Sequence, residues 1–539
     1  MLDPVPVVSP DALRRGQRDL VFDLAWASVT GAFSGGVILV AFALALGATP
    51  VQVGLLAAIP FLAQAAQLPA TVLIERVRRR RLIGVASVTG ARVLILSLAP
   101  VPLLLDAATA LPVLIAAQAA IAVLHAVGGC AVNSWLHQLI PHDALGRFFA
   151  RRLLWGTAVA CAATLAAGAL VDLAPGGSPL GGYALAFAVA GLAGFVSSRH
   201  LARAPEPAMH DAGPNAPIRD RLWAPFRDER FRPLLVFMGA WIVVSNLAAP
   251  FLTVYLIQQR GFAVTTVTAM WVSSQVAAAM TLYAWGRLSD RMSNKAVLAV
   301  ALPVHFACVL SLVFADAAAS MAAQLALLFA IHVIMGVATG GIGLATGNLG
   351  LKLAPQGEGT AYLAAIGLVS ACSGGVAPIV AGALAQSFQA NELTAVVRWA
   401  TPMRDKEFAV VSFAHWEFLF AISTLLGLYV MHALSRVKEG REVSERQVIQ
   451  AFAHEAWRSL GQMSSIGGAL GSLFPFERLT ERRKWWVKRG PRRDAPAPTQ
   501  GEPPVVETEA GTRAETQVET RSETRSETQA ETQAGGGSR

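Results

Sequence analysis

Leu153 to Leu170 and Ala319 to Gly347 each run for nearly twenty residues or more without an Asp, Glu, Lys or Arg. About 20 apolar residues are enough to cross a hydrocarbon core of about 30 Å. In lipid every backbone N–H and C=O must find its partner within its own segment, so runs of this length without β alternation fold as spanning helices. A soluble alternative would have to hide a dozen such segments under a polar surface. Soluble globules carry about a quarter charged residues, whereas this chain is 15% charged and 54% hydrophobic. An all-α polytopic membrane protein is the fold class that remains.

Hydropathy, punctuated by Gly, Pro and charge, predicts twelve spans, at roughly 20–47, 51–74, 82–105, 110–138, 153–172, 181–198, 231–257, 265–285, 296–315, 319–348, 360–386 and 408–433. A short polar lead with Asp3, Asp11, Arg14, Arg15 and Arg18 precedes the first span and has no A-x-A cleavage site, so that span is expected to stay in the mature protein. Loops after even-numbered spans are basic. The second holds Arg76 and Arg78 to Arg81, the fourth Arg147, Arg151 and Arg152, and the eighth Arg287, Arg291 and Lys295. Four odd-numbered loops, Gly47 to Pro50, Asp106 to Thr109, Asp172 to Ser178 and Ala315 to Ser320, have no Lys or Arg, while the eleventh is an exception with Arg398, Arg404 and Lys406. The positive-inside rule then puts both termini in the cytoplasm, which for a bacterial cell means an inner-membrane protein. The net charge of +9 is a topology signal spread over many short loops, and a nucleic-acid partner is not expected.

The polar stretch Arg199 to Asp228 divides the membrane region into two sets of six. The expected organisation is an N-terminal half over 1–198, a central cytoplasmic loop over 199–230, a C-terminal half over 231–435, an amphipathic and basic membrane-surface segment over 436–490, and a disordered tail over 491–539. An offset of 215 aligns Val21-Phe22 with Val236-Phe237, Ala25-Trp26 with Ala240-Trp241, Glu75 with Asp290 and Arg76 with Arg291. An offset of 214 puts Leu139-Ile140-Pro141 on Leu353-Ala354-Pro355. Landmarks recurring at nearly one register point to a duplicated unit, two six-helix pseudo-repeats about an axis along the membrane normal.

The loop Gly286-Arg287-Leu288-Ser289-Asp290-Arg291-Met292-Ser293-Asn294-Lys295 resembles the signature loop of the major facilitator superfamily, G-x-L-x-D-R-x-G-R-R/K, found after helices two and eight. The first copy, Thr71 to Arg81, departs from it: Thr71 replaces the glycine, Glu75 replaces the aspartate, and a basic run that includes Arg80 follows. Pro141 to Phe148, with Gly146-Arg147, resembles the P-x4-G-R loop that precedes helix five. Drug/proton antiporters of the family often carry G-P-x-x-G-G on helix five; here that helix has only Gly156 and Gly168. A small-residue seam, Gly374-Gly375-Val376-Ala377-Pro378 with Gly382, lies instead on helix eleven and reads as close helix packing. The resemblance implies two halves that rock about a central site. It also implies a cytoplasmic gate in which Glu75 and Asp290, each followed by an arginine (Arg76, Arg291), hold a helix N-terminus or a cation when that side closes.

The resemblance further implies that helices one, four, seven and ten line the cavity. Polar residues there are the site candidates: Asp23, Trp26, Thr30 and Ser34 on helix one, Gln118, His125 and Asn133 on helix four, Trp241, Ser245 and Asn246 on helix seven, and His332 and Asn348 on helix ten. Arg92 on helix three joins them because an ionisable group at membrane depth is expensive and usually faces protein or a water-filled cavity. Packing explains a buried histidine or tryptophan as readily, and a long arginine can snorkel to the interface. Trp26, Trp241 and Trp271 offer rings for stacking.

The sequence contains no P-loop, H-E-x-x-H or G-x-S-x-G, so no enzyme, metal site or cofactor is expected. Without an ATPase module, uphill transport needs an ion gradient, and Asp23 with the histidines are the proton-carrying candidates. The leading reading is a secondary active transporter of a small organic solute. The alternative is a facilitator-fold protein that assembles or senses rather than transports. After Val437 the spacing of Ile449, Phe452, Ala453, Ala456, Trp457 and Leu460 predicts an amphipathic helix, and Arg482 to Arg489 mixes cations with indoles, suited to anionic inner-leaflet lipid.

Overall fold

The computed structural model describes residues 4–439, apart from 7, 142–143, 175–178, 210–217, 318–319, 356–358, 390 and 402–403, together with residue 450. The amphipathic, basic and low-complexity segments expected beyond 440 lie outside the described residues.

Among the described residues, eleven helices are long and apolar enough to cross a membrane: Pro10–Ala45, Pro50–Val77, Arg80–Leu104, Ala107–Leu139, Leu145–Asp172, Leu180–Arg203, Arg232–Gln259, Asn294–Ala315, Met321–Leu353, Ala361–Phe388 and Glu417–Ser435. Val264–Arg291 is as long as its neighbours, but Thr265, Thr266, Thr268, Ser273, Ser274 and Gln275 dilute its hydropathy. Counted eighth in chain order, it completes two sets of six, and the helices are numbered one to twelve below.

Helix one begins at Pro10, ten residues before the predicted span. Ser9 accepts a hydrogen bond from the Ala12 N–H and Pro10 opens the first turn, so the polar lead is helical despite its charges. At Gly36, φ is +51°, and there the helix breaks into Pro10–Ser34 and Gly36–Ala45. The span expected from 408 is corrected: an antiparallel hairpin, Glu392–Thr401 with Arg404–Ala414, precedes a helix that starts only at Glu417. The run Phe408 to Phe413 is rich in Val and Phe, and hydropathy does not tell such a strand from a helical turn.

Within the first half, helix one packs on five and six, and helix three on four and six. The halves meet through helix two on eleven and helix five on eight. These contacts are made by the parts of the helices remote from the basic loops, hereafter the far end. The seam expected on helix eleven is the glue: Gly374 lies on Phe61, Gly375 on Leu62, and Gly382 on the Pro50 carbonyl, while Gly54 of helix two lies on the Pro378 carbonyl. Gly168 of helix five fits against Thr265 and Thr268 of helix eight in the same way. A Cβ at any of these glycines would collide with the opposing helix, so small residues set the approach of the two halves.

Candidate functional site

The far-end seal has a polar latch. Asp172, the last residue of helix five, accepts hydrogen bonds from the backbone N–H groups of Val264 and Thr265 at 3.2 and 2.6 Å. These are orphan donors at the start of helix eight, and a carboxylate there is favoured by the helix dipole. The contact crosses from one half to the other.

Inward of the seal, helices one, two, five, seven and eight line a cavity of ≈ 470 Å³ between the halves, walled by Val40, Pro60, Thr157, Cys161, Pro250 and Gln275 among others. A second cavity of ≈ 290 Å³ lies within the C-terminal half, bounded by helices seven, eight, nine, ten and twelve, and Ala249, Trp271 and Gln275 line both. Neither lining includes an Asp, Glu, Lys or Arg. Trp241, Trp271 and Phe420 give the smaller cavity aromatic walls, with Ser245, Ser274, Thr339 and His305 as its polar edge. The Trp241 and His305 rings meet edge to face at 5.2 Å. His332 is fully buried behind Trp271, their ring centroids 6.1 Å apart.

The charged groups at membrane depth gather elsewhere, inside the N-terminal half. Asp23 of helix one accepts from Arg152 of helix five at 3.2 Å and from the Ser197 hydroxyl of helix six at 2.8 Å. One turn earlier, Asp19 pairs with His200 Nδ1 at 2.8 Å. Arg92 of helix three is buried against Gly194 rather than snorkelling, and donates to His125 Nε2 of helix four at 3.2 Å. A guanidinium has no acceptor, so His125 meets Arg92 with an unprotonated nitrogen. Asp23 and Asp19 are thus paired within this half, while Arg92 rests on a neutral imidazole.

The cavity residues expected on four helices therefore divide. Trp241 lines the smaller cavity and His332 backs it, whereas Asp23, Arg92 and His125 form the charged network. Asn246 donates to the carbonyl of Ile242 in its own helix, and Thr30 and Ser34 likewise bond the turn below them. Trp26, Asn133 and Asn348 are exposed and Gln118 is half-buried; none of the four lines either cavity. Among the gate residues, Glu75, Arg76, Arg147, Asp290 and Arg291 are exposed, and Gly286 and Lys295 are half-buried. The carboxylates that grip helix N-termini at the basic end are instead Glu206 and Glu439. Arg80, at one of those N-termini, is buried.

His305 escaped the reading of the sequence because helix nine was not counted among the cavity helices. The rule that flagged the other histidines, an ionisable group at membrane depth, applies to it equally. Thr157, Cys161, Gln275 and Thr339 carried no signal, since small polar residues are common in spanning helices. Among the described residues, no three His, Cys, Asp or Glu side chains come together as a metal ion would need.

A family model described as Major Facilitator Superfamily matches residues 24–378. No curated relative matches the chain in sequence. Solved structures share its architecture. The nucleoside transporter NupG is similar at a TM-score of 0.56 with 11% identity, over 80% of this chain and 100% of that one. A bacterial homologue of the iron transporter ferroportin, in its inward-facing state, is similar at 0.55 with 15% identity over 80% and 99%. A POT family transporter in complex with 5-aminolevulinic acid is similar at 0.57 with 10% identity over 79% and 97%. At such identities the likeness is one of fold.

Proposed function

This chain belongs to the Major Facilitator Superfamily, and from that membership we propose that it is a secondary active transporter that moves a small organic solute across the cytoplasmic membrane by alternating access. The observation that carries the reading is the pairing of a sealed far end with a cavity of ≈ 470 Å³ between the two halves. A pocket of this size suits a small molecule. With the basic loops on the cytoplasmic side, the conformation is sealed to the outside, and a rocking of the halves would break the Asp172 latch and expose the cavity to the other face. The similar structures, a nucleoside transporter, a homologue of an iron transporter and a transporter in complex with 5-aminolevulinic acid, differ too much in the chemistry they handle to name a solute by analogy.

Protons are the coupling ions this reading favours, with Asp23 as the carrier. Asp23 is a buried carboxylate on a cavity helix, faced by Arg152, Ser197 and Arg92, with the Asp19–His200 pair one turn away. Protonating it would release Arg152 and so couple proton binding to the packing of helices one, five and six. Uptake into proteoliposomes under an imposed pH gradient tests both statements. Solute accumulation is expected in the wild type, and Asp23→Asn is expected to abolish accumulation while sparing solute exchange at equal pH. Accumulation by Asp23→Asn would remove the proton role, and an absence of flux over a broad solute panel would favour an assembly or sensing protein.

A further inference from the structure

Buried polar atoms in folded proteins almost always have a hydrogen-bond partner. Around the smaller cavity three do not: Trp271 Nε1, His305 Nδ1 and His332 Nε2. His305 and Trp271 line that cavity, and His332 meets the Trp271 ring edge to face, 6.1 Å between centroids. Their hydrogen-bonding senses can be read. The indole Nε1–H only donates. His332 Nδ1 contacts the Leu328 carbonyl at 2.8 Å, and because a carbonyl only accepts, the proton of the neutral imidazole sits on Nδ1 and Nε2 is a bare acceptor. A vacant donor and a vacant acceptor therefore stand on adjoining rings at an interplanar angle of 78°.

We propose that this cavity is the solute subsite, and that its solute is an uncharged planar molecule with an N–H beside a C=O, a lactam-type edge. The solute carbonyl accepts from Trp271 Nε1–H and the solute N–H donates to His332 Nε2. His332 is fully buried and outside the lining, so reaching both groups requires the half-buried Trp271 side chain to turn aside. Trp241 and Phe420 supply the flat apolar faces against which the ring lies. A charged solute is disfavoured because neither cavity lining has a fixed counter-charge, and an unpaired charge is expensive to bury.

The proposal rests on the transporter reading only for the claim that what binds is also carried, so binding is measured apart from flux. The probe is uracil, bound to the purified full-length protein in detergent and followed by equilibrium dialysis. Its N,N′-dimethyl derivative lacks the donors, and orotate adds a carboxylate to the same ring. Uracil is expected to bind, with dimethyluracil and orotate weaker by about tenfold or more. Trp271→Phe, which keeps the ring but removes the N–H, and His332→Leu are each expected to weaken uracil by about tenfold. His332→Leu should leave dimethyluracil unchanged, a pattern that general misfolding would not produce. Equal binding of uracil by wild type and both variants would mean that the orphan groups hold only water, and the proposal falls. It falls also if orotate binds as tightly as uracil, or if uracil fails to bind at millimolar concentration. Uracil binding with this pattern but without flux would leave the subsite standing and remove the transporter reading. Flux of another solute that is indifferent to Trp271 and His332 would do the reverse.

Discussion

Glu206 and Glu439 play the same part at corresponding places in the two halves. Glu206 accepts from the backbone N–H groups of Arg80 and Arg81 at 2.7 and 3.0 Å, and Glu439 from those of Asn294 and Lys295 at 3.1 and 2.6 Å. Each carboxylate follows the last helix of its half and grips the start of that half's third helix. The gripped residues are related by the offset of 214 that also aligns Leu139-Ile140-Pro141 with Leu353-Ala354-Pro355. Helix N-termini offer unsatisfied N–H groups and a favourable dipole, so one anion at each site fastens the end of a half to its middle.

The two grips differ in what their loss leaves behind. Glu206 also pairs with Arg80, whose side chain is 3% exposed, whereas the cation on Glu439, Lys352, is 56% exposed. Removing one partner of a buried pair costs about 3–5 kcal/mol, while losing a helix-end carboxylate that leaves a solvated lysine costs about 1–2 kcal/mol. Glu206→Ala is therefore expected to lower the unfolding temperature in detergent more than Glu439→Ala. The opposite order would show that the ion pair contributes less than the backbone contacts.

Glu439 also sets a pH dependence. Burial raises its pKa, but hydrogen bonds from the Lys295 N–H, from Asn294 and from Lys352 outweigh that effect and hold it below its ordinary 4.5. A carboxylate depressed in the folded state contributes stability that is present above 4.5 and is lost as pH falls through the lower folded value. Wild-type stability should accordingly fall on acidification below about 4.5 more steeply than that of Glu439→Gln, measured by thermal unfolding across that range. Parallel curves for the two proteins would count against it.

Asp172 holds the far-end seal closed by two hydrogen bonds across the halves. Asp172→Ala should move the population toward the conformation open at that end by about tenfold. Cys161 lines the central cavity and serves as the reporter once Cys130, Cys308 and Cys372 are replaced by alanine. An impermeant maleimide added outside intact cells should label Cys161 faster in the Asp172→Ala background. Unchanged labelling would place the seal in the glycine contacts alone.

The hairpin joining helices eleven and twelve tests the orientation. Asn391 is exposed at its start. With the even-numbered loops cytoplasmic, Asn391→Cys should react with an impermeant reagent from outside. Reaction only after lysis would invert the topology, and the sealed end would then face the cytoplasm.

Twelve spans, the division at Arg199 to Asp228, the duplicated register and the basic end are all written in local composition, because lipid imposes a length and a polarity on each helix separately. Helix eight was legible despite its threonines and serines because no Asp, Glu, Lys or Arg falls between Gly261 and Gly286. The strand before helix twelve was not, since a short apolar run of Val and Phe satisfies either structure. Asp23, Arg92 and His125 were marked by cost alone, but nothing local pairs Asp23 with Arg152, 129 positions later. Glu206 and Glu439 lie outside the signature loops, so motif comparison passed over them in favour of Glu75 and Asp290. The vacant groups on Trp271, His305 and His332 become visible only once every neighbour has been placed. Spanning a bilayer is a property of each segment, and residues alone determine it. A seal, an ion pair or an unsatisfied nitrogen depends on which helices meet and how closely, and here that was decided by glycine contacts and helix-end hydrogen bonds between segments far apart in the chain.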